Sequence, residues 1–141
     1  MTMTMTMTDD QQKNNDQYGF RFREWDIYQD ARAFRKQVNE LLKHYPKEER
    51  FELVGQAKRA LNSIVLNIAE GSNKSTDKDA RIYINRAHGS LDEVVGCLDC
   101  SLDDGYISRE EHAEILAKAS SLAKRIRGFT KHLKDSASSL S

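Results

Sequence analysis

Between Tyr45 and Gly71 the chain carries, in one uninterrupted stretch, a helix start, an apolar stripe, a polar stripe and a helix stop. Pro46 at the first helical position, followed by Glu48 and Glu49, suits the donor-rich end of a helix. Proline lacks the N–H that would go unbonded there, and carboxylates complement the helix dipole. Gly71 before Ser72 and Asn73 closes the segment. Leu53, Ala57, Ala60 or Leu61, Ile64 and Ile68, flanked by Val54 and Val65, recur every three or four residues and so share one helical face. No catalytic motif interrupts them.

The same periodicity returns elsewhere. Ile27, Ala31, Phe34, Val38, Leu41 and Tyr45 advance by alternating steps of four and three, with Tyr28 and Leu42 widening the stripe. Ala80, Ile84, Ala87, Leu91, Val94, Leu98 and Leu102 form another, after a Thr76-Asp-Lys-Asp79 start that resembles a capping box. The last runs through Ile115 or Leu116, Ala119, Leu122, Ile126, Phe129 and Leu133. Before it, Gly105 suits a left-handed stop, and Ser108 with Glu111 makes an S-x-x-E capping box. An amphipathic helix must bury its apolar face against a partner, and short connections make sequence neighbours antiparallel. The expected fold is all-α, an antiparallel up-down-up-down four-helix bundle.

A chain of 141 residues with 38% hydrophobic content, 31% charged content and one proline has room for a single helical domain. Residues 1–8 alternate Met and Thr, and the next stretch is almost wholly polar. Neither can bury enough apolar surface to offset its ordering entropy. The expected organisation is therefore a disordered tail over 1–19, the bundle over 20–134 and a frayed serine-rich tail over 135–141. No apolar run approaches bilayer length and no signal-peptide pattern opens the chain, which predicts a cytoplasmic protein with no membrane partner.

Particular residues carry a family likeness. Tyr45-Pro-Lys-Glu-Glu-Arg-Phe51, Gln56, Lys58-Arg59-Ala60, Ser63-Ile64 and Asn67-Ile-Ala-Glu-Gly71 form its main string. Trp25, Ala87-His-Gly-Ser-Leu91 with Glu93, and Gly105-Tyr-Ile107 extend it. Over residues 20–133 the chain resembles the small four-helix bundle proteins encoded in intervening sequences of bacterial large-subunit ribosomal RNA genes. The resemblance implies an antiparallel bundle, a homopentameric ring and no established enzymatic activity. It also implies a distant tie to the accessory proteins of diversity-generating retroelements, similar pentameric bundles that bind a reverse transcriptase and nucleic acid. Lys58, where arginine is expected, and the acidic Leu102-Asp-Asp104 connection depart from the pattern.

Gln56, Arg59, Ser63, Asn67 and Glu70 follow one another beside the apolar stripe of the second helix. Small amides and hydroxyls suit a subunit interface, where they hydrogen-bond across helices and set register; a solvated face or a ligand site are the other readings. The 22 Lys and Arg balance 22 Asp and Glu, so any electrostatic function rests on where charges sit. In an up-down-up-down bundle one end collects Arg81, Arg86, Lys124, Arg125, Arg127, Lys131 and Lys134, together with Arg21, Arg23, Lys74 and Lys78. The other end gathers Glu48, Glu49, Glu52, Asp99, Asp103, Asp104, Glu110, Glu111 and Glu114. Helix dipoles account for cations near the end of the fourth helix, but not for Lys78, Arg81 and Arg86 near the start of the third. A basic end repeated around a ring suits RNA or DNA phosphates, without sequence preference.

Cys97 and Cys100 form a C-x-x-C, short of the four ligands zinc takes even with His44 and His112 at the same end, and read as reduced, half-buried thiols. His88, Ser90 and Glu93 do not share a helical face, and paired Glu-x-x-His motifs and phosphate-cradling glycine loops are missing. The expected function is a non-enzymatic, ring-forming adaptor for nucleic acid, with no catalytic residue, metal or cofactor. The competing expectation is a protein-interaction scaffold, for example a polymerase or reverse-transcriptase accessory. Phe20, Phe22, Trp25 and Phe51 fall outside the main stripes, which leaves apolar surface for association.

Overall fold

The computed structural model describes residues 16–140, with side chains as far as Leu133. The Met-Thr repeat and the polar residues through Asn15 lie outside the described residues. Four α-helices follow in order: α1 Asp26–Leu42, α2 Leu53–Gly71, α3 Asp77–Asp103 and α4 Arg109–Leu140, with 3-10 turns at Arg21–Glu24 and Lys47–Glu49. The described residues contain no strand, and none of their helices is long and apolar enough to cross a membrane.

Contacts between helices set their directions. Gln56 meets Glu93, Ser63 meets Ser90 and Gly71 meets Tyr83, so numbers rise along α2 as they fall along α3. Asp99 with His112 and His88 with Arg127 give the same antiparallel pairing of α3 and α4. Trp25 against Phe129 and Asp30 against Arg125 give it for α1 and α4. Arg35 and Asn62 join α1 to α2. Extensive packing runs around the bundle and not across its diagonals, as the four stripes predict.

The stripes form one buried cluster, in which Phe34 and Val38 of α1, Ile64 and Ile68 of α2, Leu91 and Leu98 of α3, and Leu122 and Ile126 of α4 interlock. Each such side chain contributes about 1.5–3 kcal/mol on leaving water. Turn chemistry fixes the boundaries. Thr76 Oγ1 accepts the Asp79 N–H at 3.1 Å, and Gly105 takes a φ of 78° where a side chain would be strained. Ser108 and Glu111 satisfy each other reciprocally, Glu111 N–H to Ser108 Oγ at 3.0 Å and Ser108 N–H to Glu111 Oε1 at 2.8 Å.

Several boundaries differ from expectation. Pro46 does not open α2: it precedes the separate turn Lys47–Glu49, and the helix begins at Leu53. The backbone doubles back there because Gly55 lacks a Cβ, which would stand 3.0 Å from the Arg50 carbonyl oxygen. Of the stretch expected as tail, residues 16–19 are described. Asp16 accepts the N–H groups of Tyr18 and Phe20 at 3.1 and 2.8 Å and pairs with Arg23 at 2.7 Å, which ties this segment to the bundle. At the other end, α4 continues through the stretch expected to fray, since no glycine or proline follows Gly128. Leu42 is buried where the spacing favoured Leu41, which is half-buried.

Gly71 matters for proximity more than for termination, since α2 ends without a left-handed residue. A Cβ there would meet Tyr83 Cβ at 3.2 Å and the Ala80 carbonyl oxygen at 3.3 Å, neither of which can swing aside. At Gly89, in the middle of α3, an added Cβ meets nothing within 4 Å. Gly71→Ala is expected to destabilise the bundle by about 1–3 kcal/mol through overpacking. Gly89→Ala is expected to stabilise it by about 0.5–1 kcal/mol through helix propensity. Urea midpoints moving in opposite directions check both; an unchanged Gly71→Ala midpoint sinks the proximity account.

Candidate functional site

The five residues of the α2 polar seam divide. Gln56 and Ser63 turn toward α3 of the same chain: Gln56 Nε2 donates to Glu93 Oε2 at 3.2 Å, and the Ser63 and Ser90 hydroxyls share a hydrogen bond of 2.7 Å. Asn67 Nδ2 donates to the Ser63 carbonyl oxygen at 2.9 Å and to its hydroxyl at 3.0 Å. Register-setting polar contacts are therefore made within the protomer. Arg59 and Glu70 lie further out and are exposed, Glu70 loosely paired with Lys74 at 3.9 Å. Of His88-Gly-Ser90, Ser90 meets α2 closely through Ser63, while Gly89 faces open space.

The basic end is real as a location. Arg21 and Trp25 before α1, Gly71 at the end of α2 and Lys74 after it, Ala80 of α3 and His132 of α4 line one shallow cavity of about 320 Å³. Its cations, however, sort onto three faces. Arg125 points to α1, where Asp30 Oδ2 lies 2.9 Å away in an ion pair outside hydrogen-bond angles. Arg86 lies on the α2 side of α3, over the Tyr83 ring at 4.9 Å, with Lys74 Nζ 4.5 Å from the same ring. Arg23 is taken by Asp16.

What remains together is the α3–α4 seam. Arg127 reaches His88 Nε2 at 3.4 Å, and His88 Nδ1 stands 3.6 Å from Asp92. Lys124 and Lys131 neighbour Arg127 at steps of three and four along α4, and Arg81 stands two turns from His88 on α3, which sets the four cations in or beside this seam. Among the described residues none of these four cations is ion-paired. The Lys134 side chain lies outside the described residues. An end-by-end charge map misses this sorting because Asp30 is far in sequence from Arg125, and Asp16 falls in the stretch expected to be tail.

A cationic stripe that spacing alone could have shown is Arg32, Arg35 and Lys36 on α1, beside the exposed Leu66 of α2. Of the four aromatics expected outside the core, Trp25 packs on Phe129 with ring centroids 5.0 Å apart, and Phe22 meets Tyr28 edge-on at 4.9 Å. Phe20 and Phe51 stay exposed.

The C-x-x-C thiols face different surroundings: Cys97 is buried and Cys100 exposed. His112 Nε2 contacts Asp99 Oδ1 at 2.8 Å, and among the described residues no group of three or more His, Cys, Asp or Glu gathers for a metal. Burial pushes the Cys97 thiol above its usual pKa, with Glu93 and Cys100 adding to the rise. Iodoacetamide at neutral pH is accordingly expected to label Cys100 and leave Cys97 unmodified in the native chain. Peptide mass mapping checks this, and equal labelling of both contradicts the burial of Cys97.

The likeness to known proteins bears on the fold. A crystal structure at 1.70 Å of a protein of unknown function, from the S23 ribosomal protein family of Bacteroides thetaiotaomicron, superposes with a TM-score of 0.69 at 23% identity. The match covers 74% of this chain and 98% of that one. No curated protein matches the chain. The family described as 23S rRNA-intervening sequence protein matches residues 23–128, the whole of α1 to α3 and most of α4. The chain belongs to the 23S rRNA-intervening sequence protein family.

Proposed function

We propose that this chain is a non-enzymatic adaptor that assembles with copies of itself and binds nucleic-acid phosphates, without sequence preference, along the α3–α4 seam of its basic end. One observation carries the reading: Arg81, Lys124, Arg127 and Lys131 lie in or beside that seam and none is ion-paired among the described residues. Cations held on two rigid helices release counterions from a phosphate backbone at little cost in ordering. Lysine and arginine charges spread along two helices meet backbone phosphates whatever the bases are, which favours sequence-independent contact. Assembly into a ring of five follows the family likeness and would repeat the seam around a common axis.

A second reading, favoured by the exposed Phe20, Leu66 and Phe51, is a scaffold that docks another protein and touches no nucleic acid.

Fluorescence anisotropy with labelled structured RNA and duplex DNA over a salt series decides between them. The adaptor reading expects steep salt dependence. The variant R81Q/K124Q/R127Q/K131Q should lower the slope of log K against log salt by about 0.9 for each duplex phosphate that is no longer neutralised. Its circular dichroism should be unchanged, since Lys124, Arg127 and Lys131 are exposed and Arg81 is only half-buried. Full affinity in that variant removes the seam from the reading, and no binding by the parent chain at low salt leaves the scaffold.

A further inference from the structure

A second cationic surface lies on the opposite side of the bundle. Between α1 and α2 runs an open groove of about 530 Å³, with Ala33, Val65 and Leu66 as its apolar floor and Arg32, Arg35 and Lys36 on its wall. Leu66 keeps 63% of its surface exposed. Arg35 is held in place by a hydrogen bond from its Nε to Asn62 Oδ1 at 2.7 Å. No acidic side chain lines the groove, and none of the three cations is ion-paired among the described residues.

The same chain presents the complement elsewhere. Between the 3-10 turn and α2, Phe51 projects with 82% of its surface exposed. Arg50 covers one face of its ring, with the guanidinium carbon 5.3 Å from the centroid. Glu48 and Glu52 are exposed on either side of it, and neither is ion-paired among the described residues. A phenyl ring so exposed at a bend has nothing in its own bundle to rest on.

We infer that the α1–α2 groove receives the Glu48–Glu52 turn of a second copy of this chain, with Phe51 seated on Ala33, Val65 and Leu66 and the two glutamates against Arg32, Arg35 and Lys36. Complementarity of two kinds selects this occupant. The groove offers apolar floor and cationic wall, and the turn offers one apolar projection between two anions. A copy meeting the same face of its partner would set cations against cations, which disfavours a two-fold contact there. Because groove and turn are different surfaces, the contact is head-to-tail; repeated, it closes into a ring or continues as a filament. The inference rests on the proposed self-association and names the surfaces that would make it.

Sedimentation velocity of the full chain over a concentration series tests it with four variants. Phe51→Ser, R32E/R35E/K36E and E48K/E52K should each raise the concentration needed for assembly by about tenfold or more. The chain carrying both charge reversals should regain assembly, because the reversed turn then fits the reversed groove. All six positions are exposed, so circular dichroism should match the parent in every case. A parent chain that stays monomeric overturns the self-association and this contact with it. A parent that assembles while Phe51→Ser and both reversals assemble equally well overturns this contact alone, and failure of the doubly reversed chain to recover overturns the pairing of groove with turn.

Discussion

The close approach of α2 and α3 at Gly71 governs where everything else in the bundle can lie. These two helices make the most extensive packing in the molecule. Their separation is held at one end by the missing Cβ and at mid-length by the Ser63–Ser90 hydrogen bond. Ile64 and Ile68 then share one buried cluster with Ile84 and Leu91, and interior packing tolerates little slack. α4 follows from α3 through a tight turn at Gly105, and α1 closes the remaining side.

Most of this was legible in the sequence because it is periodic or local. Spacing of three and four located the buried faces, and Ser108 with Glu111 located the start of α4. What stayed hidden depends on contacts between distant residues. The Pro46 opening was misplaced because a proline and acids suit a 3-10 turn as well as a helix, and only the Arg50 carbonyl crossing Gly55 separates the two. The seam on α2 was visible as a polar line, yet nothing local says whether it turns to α3 of its own chain or outward. Likewise the cations could be assigned to one end of the bundle, while their division among faces required knowing that Asp30 meets Arg125.

That division changes what a neutral chain can do. Surface ion pairs such as Asp30–Arg125 contribute little stability, but each cancels a charge that a distant polyanion would otherwise feel. The surviving fields are a cationic seam along α3 and α4, a cationic groove between α1 and α2, and an acidic turn at the opposite end. Charge is thus separated by face as well as by end. Attraction between unlike faces of different copies and attraction of polyanions both weaken with salt. Ionic strength therefore sets which partner such a surface meets first.

Three of the four seams in the bundle join helices adjacent in sequence; only α1 against α4 unites remote parts of the chain. Local seams can form with little loop entropy, while the remote one must bring the two ends of the domain together. Trp25, the single tryptophan, sits in that remote seam against Phe129. Packing on Phe129 shields part of its indole from water when that seam closes. The chain consequently carries an intrinsic fluorescent reporter in its one sequence-remote seam, which separates closure of the whole domain from formation of its hairpins.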